Sequence, residues 1–147
     1  MELLLSVCVI GALMLVVTIL IDKSVVLPRS RDLLRTNHVQ RLLSAVLQYQ
    51  VDHAGALPAN ITGTESQAQM IAMPGQICTD VCKDQVVKQE CLDLSELSPT
   101  YLETIPQDPF FTELGPSGYY IYKHHDRGGL TIGSCNAEAS DRIQSTR

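Results

Sequence analysis

Hydrophobic positions divide the first third of the chain into an apolar start and a one-sided continuation. An uncharged apolar run extends from Leu3 to Ile21. As a helix it would be about 28 Å long, close to the thickness of a bilayer core. Further along, apolar residues recur mostly at three- and four-residue steps, at Leu34, Val39, Leu42, Leu43, Val46 and Tyr49. This spacing predicts an amphipathic helix that begins at Arg29 or Ser30 and ends before Gly55.

The remainder of the chain predicts short elements. Residues 64–73 carry helix-start and helix-stop signals and are expected to form a short helix, and residues 92–102 a single helical turn. Residues 118–123 and 130–133 are aromatic and β-branched, which predicts two strands of a hairpin. Residues 136–147 are polar and are expected to fray. The predicted fold is α+β, a long N-terminal helix packed on a small antiparallel sheet.

Three segments organise this fold. Residues 1–28 form the transmembrane or filament-core helix, and Pro28 marks a break or a kink. Residues 29–54 form the amphipathic helix, with Ser30 as its cap, and residues 55–147 form loops and the hairpin. A cleaved signal peptide would have a basic start, a shorter core and a small-residue cleavage site. None of these is present, so the first segment is expected to be retained as an anchor.

The cysteines predict disulfides. Cys8 lies in the apolar run and is expected to be a small buried hydrophobic residue. The other four, Cys78, Cys82, Cys91 and Cys135, form an even set that predicts two disulfides in an oxidising compartment, with three possible connectivities. Of these we favour Cys91 with Cys135 and Cys78 with Cys82. The spacing does not fit a paired C-x-x-C zinc site, so we expect no metal and no cofactor.

Charge is unevenly distributed. The net charge is −5, and residues 55–147 hold six basic against twelve acidic residues. An acidic outer part argues against nucleic-acid binding. The basic residues from Lys23 to Arg41 favour a solvated helix face, and Arg35 lies off the apolar stripe. Contact with anionic lipid, or a seam between neighbouring copies, is the alternative.

Residues that could carry chemistry are few. His124, His125 and Asp126 are adjacent in the hairpin tip and would point apart, which favours an exposed turn over a metal site. Asp108, between two prolines, is expected to hold its loop through backbone hydrogen bonds. Asn60 begins a glycosylation sequon. No catalytic set is present, and we do not expect an enzyme.

Glu2 opens the apolar run, and Leu3, Leu4, Leu5 and Gly11 follow it. This start resembles that of type IV pilins and of the pseudopilins of type II secretion, which mature to F-T-L-x-E-L-L followed by an apolar run with an early glycine. The resemblance makes these five residues the expected assembly residues. It also implies that Met1 is not the true start, and that a basic leader and three mature residues precede it.

The resemblance continues in order along the chain. Residues 31–50 are similar to the family's R-D-x-x-R stem, and residues 52–58 to its D-x-x-G-x-Y-P turn. Residues 92–109 and 118–138 resemble segments of pilin-like proteins of candidate-phyla bacteria. In the family, the glutamate pairs with the N-terminal amine of a neighbouring subunit. A carboxylate that leaves water for an apolar bundle needs such a cation, or becomes protonated.

The resemblance therefore implies a structural subunit of an extracellular type IV pilus-like filament, serving adhesion, motility or DNA uptake. Its partners would be further copies of itself in a helical polymer, the pilus assembly machinery, and surfaces or host cells. It would lie in the inner membrane before assembly and in a cell-surface filament afterwards. The alternatives are a pseudopilin of a type II secretion system and a monomeric membrane-anchored binding domain.

Overall fold

The computed structural model describes residues 2–20, 23–73, 75–78, 82, 85–110, 115–125 and 128–147. It contains two helices, α1 (Glu2–Leu20) and α2 (Lys23–Asp52). Pro28 lies inside α2, so the expected start at Arg29 or Ser30 is wrong. The missing proline N–H costs one helical hydrogen bond, and the turns on either side still form. Ser30 does not cap the helix; its hydroxyl donates to the carbonyl of Leu27 at 2.9 Å.

The end of α2 agrees with the prediction. The backbone N–H of His53 donates to the carbonyl of Tyr49 at 3.0 Å, and that of Gly55 donates to the carbonyl of Gln50 at 2.8 Å. Gly55 has a φ of 92°, in the left-handed region that glycine tolerates best. The chain therefore leaves the helix where the glycine allows it to turn.

Four strands form one antiparallel sheet in sequence order: β1 (Gln69–Met70), β2 (Tyr119–Lys123), β3 (Leu130–Ser134) and β4 (Gln144–Thr146). The predicted hairpin is confirmed as β2 and β3, which pair through Ile121 and Ile132 among others. A 3₁₀ turn at Ser95–Leu97 accounts for the helical turn expected in residues 92–102.

Two predictions for this part of the chain are wrong. In place of a helix over residues 64–73, Thr64 and Gln67 close a tight turn with paired backbone hydrogen bonds of 2.8 and 3.1 Å, and β1 follows. The tail does not fray, because β4 pairs with β3 and Ile143 is buried. Long-range pairing overrides local propensity at both places.

The sheet separates two apolar clusters. Alternation along β2 turns Tyr119 and Ile121 towards α2, and turns Tyr120 and Tyr122 to the opposite face. Against the first face pack the predicted stripe residues Val39, Leu42, Leu43 and Val46. Leu34 was expected there too, but it is 49% exposed. On the second face Tyr120 covers Gly133, where an added Cβ would fall 2.4 Å from the tyrosine ring.

Two disulfides hold the second cluster, as predicted, but their pairing differs from the one favoured. Cys78 is bonded to Cys91 and Cys82 to Cys135, with Cα separations of 5.3 and 4.4 Å. Backbone hydrogen bonds hold residues 86–92 beside β1, and this brings Cys91 next to Cys78. Cys82 is then joined to Cys135, directly after β3.

We call α2, the sheet and their connecting loops the head. The fold is α+β, with a long N-terminal helical region and a small antiparallel sheet; the Cys82–Cys135 disulfide links the residue after β3 to the loop before β2, and Cys78–Cys91 closes that loop on itself.

Candidate assembly surface

Helix α1 exposes apolar side chains all round. Its large hydrophobic residues between positions 3 and 17 are at least half exposed, from Leu3 at 78% to Val16 at 50%. Cys8, expected to be buried, is exposed as well and has a free thiol. Contiguous apolar surface of this extent is a site for interaction with another molecule or a lipid phase.

The expected assembly residues all lie on this helix. Glu2 is its only charged residue, and the backbone carbonyl of Glu2 accepts a hydrogen bond from the Ser6 hydroxyl at 2.9 Å. Leu3, Leu4 and Leu5 follow it and are exposed. An added Cβ at Gly11 would meet no atom within 4 Å, so a second helix could approach closely there. Met1 lies outside the described residues.

The apolar surface continues onto the first turns of α2 and then stops. Its exposed apolar residues there are Val25, Val26, Leu27, Leu33 and Leu34. Between Leu34 and Tyr49, the exposed positions of the same helix are polar: Asn37, Gln40, Arg41, Ser44 and Gln48. We call residues 24–34 the stem; its exposed side chains are mostly apolar, with Ser24, Arg29 and Ser30 among them, whereas those of the following turns are polar up to the exposed Val51 near the helix end.

At this boundary, a buried ion cluster joins α2 to the loop at Asp108 and to the C-terminal segment at Glu138. Arg35 is fully buried, although the sequence favoured a solvated face. Its Nε and Nη2 donate to the two oxygens of Asp108, at 2.7 and 3.1 Å. Its Nη1 donates to Asp32 at 2.8 Å and to Glu138 at 2.6 Å. These carboxylates surround the guanidinium, and together they raise the pKa of Arg35 against the opposing effect of its burial.

The side chain of Asp32 binds backbone N–H groups of the C-terminal segment. The carboxylate accepts N–H groups from Glu138 at 3.1 Å, Ala139 at 2.7 Å and Ser140 at 2.8 Å. Burial alone would raise the pKa of Asp32. These three N–H groups and Arg35 outweigh that effect, so the pKa lies below its ordinary value. The charged form of Asp32 is therefore part of the folded structure.

Glu138 is held by a second arginine at the rim of the cluster. Arg31 Nε donates to both Glu138 oxygens, at 2.9 and 3.1 Å, and the guanidinium lies 5.0 Å from the centre of the exposed Phe110 ring. The hydrogen bond from Arg31 is the main reason that the pKa of Glu138 is lowered; burial opposes it, and Arg35 adds to it. Asp108 also accepts the backbone N–H of Phe110 at 2.9 Å, which confirms its expected role in holding its loop.

His38 extends the polar contacts along α2. Its Nδ1 lies 2.7 Å from the hydroxyl of Tyr119, which is fully buried. Burial lowers the pKa of His38, the nearby charge of Arg41 lowers it further, and Asp108 opposes both. Burial also raises the pKa of Tyr119. A neutral His38 imidazole that accepts a hydrogen bond from the protonated Tyr119 hydroxyl satisfies both groups.

This cluster is the part of the site that sequence reasoning missed. Its members lie far apart in sequence, and Asp108 and Glu138 follow Arg35 by 73 and 103 residues. The available signal was the pair of arginines around Asp32 at helical spacing, within the R-D-x-x-R pattern. Arginine in a predicted helix usually lies in water, so the pattern alone did not indicate burial.

The hairpin tip offers no ligand set in the part that can be described. His124 Nδ1 lies 2.5 Å from a carboxylate oxygen of Glu65, and its Nε2 lies 2.7 Å from the hydroxyl of Thr131. Asp126 lies outside the described residues. Across the residues with a described structure, no three His, Cys, Asp or Glu side chains are grouped to hold a metal ion. Asn60, which begins the sequon, is exposed.

Comparison with known proteins leaves the family open. No family model, curated protein or solved structure matches the chain. Among the described residues, no helix meets the length and apolarity that crossing a membrane requires.

Proposed function

We propose that this chain is the structural subunit of an extracellular filament of the type IV pilus kind, assembled through α1. The observation that carries the proposal is a helix that is apolar and exposed on every side, with one acid at its first position. A single flat contact would cover only one side of such a helix. Several neighbouring copies would cover it completely, and head-to-tail contacts that do not close produce a helical fibre.

In such an assembly, pairing of Glu2 selects the position of each copy along its neighbours. A carboxylate enclosed among apolar helices is costly unless a cation meets it. A packing arrangement that leaves Glu2 unpaired is therefore disfavoured against the one that pairs it. The small residues Ser6, Gly11 and Ala12 support close approach of the helices in that arrangement.

The head suits the outside of a fibre beyond the cell. Its two disulfides persist in oxidising compartments, and the chain from residue 55 onward carries excess negative charge. As part of the proposal, the inner membrane holds the chain before assembly, since an apolar α1 can exchange lipid for neighbouring copies. The partners are then the assembly machinery and further copies of the chain. The proposal includes no catalytic activity.

Electron microscopy of cell-surface material tests the proposal, with mass spectrometry of the N-terminal peptide to identify the fibre. We expect long fibres that contain this chain. Glu2→Ala should abolish them while the chain stays folded, and Glu103→Ala, which removes an exposed acid of the head, should leave them unchanged. Short fibres that form only with a secretion system would favour the pseudopilin. An unassembled chain with no fibres, unaffected by Glu2→Ala, would favour the anchored monomer and contradict the proposal.

A further inference from the structure

Arg29 is an exposed cation in the apolar stem. The two arginines that follow it are occupied, because Arg31 pairs with Glu138 and Arg35 with Asp32, Asp108 and Glu138. Arg29 forms no ion pair within the described part of the chain. Its neighbours along the helix include the exposed Val25, Val26 and Leu33. If another molecule covers this apolar surface, it also desolvates Arg29, which then needs an anion.

A groove lies directly beside this arginine. It has a volume of about 240 Å³ and is lined by Arg29, Asp32, Leu33, Thr36, Ala139 and Ser140. Arg29 and Leu33 are four residues apart and therefore lie on one face, a turn from each other. The carboxylate of Asp32 is already satisfied by Arg35 and three backbone N–H groups. Arg29 is therefore the charged side chain of this lining that has no ion-pair partner among the described residues.

Helix α1 carries an acid that could pair with Arg29. Glu2 is its single charge, and the residues that follow are apolar and exposed. Glu2 and Arg29 are thus opposite charges without an ion pair among the described residues, and burial of either charge alone is costly. Both also lie beside exposed apolar side chains, Leu3 to Leu5 on α1 and Val25, Val26 and Leu33 on the stem.

We infer that the groove beside Arg29 receives the first turn of α1 from a second copy of this chain, with Glu2 of that copy paired to Arg29 in the place that the resemblance gives to a neighbouring N-terminal amine. The inference rests on the proposed function. All copies in a helical fibre point the same way, so the two helices pack in parallel. Ser6 of the incoming copy, one turn after its Glu2, then lies opposite Leu33.

A charge exchange tests the pair. Glu2→Lys and Arg29→Glu each place like charges together, and each should raise the subunit concentration needed for fibre formation by about 30-fold or more. The chain with both changes restores opposite charges and should recover most of the fibres. Arg41→Glu, an exposed reversal beyond the stem, should have little effect. Fibre mass per cell at graded expression measures all four variants.

Disulfide trapping tests the same contact without changing a charge. In a Cys8→Ser background, Ser6→Cys with Leu33→Cys should give chain-to-chain crosslinks in intact fibres on mild oxidation. Ser6→Cys with Arg41→Cys, about two turns further along α2, should give none. Reducing gels before and after oxidation distinguish the two pairs.

The outcomes separate this inference from the proposed function. Wild-type fibres, a recovered double variant and specific crosslinks support it. Wild-type fibres with no recovery and no Ser6–Leu33 crosslink overturn the Arg29 contact and leave the proposed function standing. Equal crosslinking of both cysteine pairs also overturns it. Absence of wild-type fibres overturns both.

Discussion

Arg35 is among the largest fully buried side chains of the described residues, and its charge is kept inside the head by four hydrogen bonds to carboxylates. A buried ion pair of this kind contributes little net stability against a well-packed apolar replacement of the whole group. Removal of one partner is different, because it leaves the remaining charges buried without compensation. Asp32, Asp108 and Glu138 all accept hydrogen bonds from this one guanidinium.

Arg35→Met should therefore lower the free energy of unfolding by about 3–5 kcal/mol. The methionine fills much of the same space, so the loss would report on the uncompensated carboxylates rather than on a cavity. Urea unfolding of the full chain in detergent, followed by tyrosine fluorescence, measures the change. Arg41→Met is the matched control, because that arginine is exposed on the same helix, and it should change stability by less than about 0.5 kcal/mol. Equal losses in both variants would contradict the role given to Arg35.

Among the elements, the disulfides constrain segments of different length. Cys78 and Cys91 are separated by 13 residues, and Cys82 and Cys135 by 53. A crosslink that closes a longer loop removes more entropy from the unfolded chain. The second disulfide also links the loop before β2 to the residue that follows β3.

We expect the Cys82→Ala, Cys135→Ala double variant to lose about 4 kcal/mol and the Cys78→Ala, Cys91→Ala variant about 3 kcal/mol, from loop length alone. Urea midpoints of the two variants, each with one disulfide intact, give the comparison. Peptide mapping confirms the remaining bond. A larger loss for the shorter loop would mean that packing of Cys78, which is almost fully buried, outweighs loop length.

The elements that could be predicted from sequence are those whose signal is local. The stripe of α2 and the β2–β3 hairpin carry their own periodicity, and both are confirmed apart from Leu34. Strands β1 and β4 have only two and three residues, and their partners lie about 50 and 15 residues away in sequence. So short a strand has no recognisable pattern, because its stability comes from a neighbour that the local sequence does not specify.

The candidate assembly surface and the buried ion cluster beside it show the same difference between local and long-range signals. The apolar surface of α1 could be predicted because every residue contributes to it locally. The contacts of Arg35 and the disulfide pairing could not, because each depends on how distant segments meet in the fold.

At the scale of the whole molecule, three of the described groups link folding to acidic pH: Asp32, Glu138 and His38. The pKa values of Asp32 and Glu138 are lowered in the folded chain, so below their ordinary values the unfolded chain binds more protons than the folded one. Their contribution to stability is present above about pH 4 and is lost as the pH falls below it. The pKa of His38 is also lowered, so its contribution is present above about pH 6.5 and declines below that value.

Acidification from pH 8 to pH 3 should therefore destabilise the head in two steps, the first below about pH 6.5 and the second below about pH 4. His38→Gln should remove the first step, since glutamine can still face the Tyr119 hydroxyl and does not titrate. Asp32→Asn should reduce the second step and lower stability at pH 7, because a neutral amide binds Arg35 and the three N–H groups less well. Urea midpoints at half-unit pH intervals measure both. A wild-type midpoint that stays constant or rises on acidification would contradict the assignment of these groups.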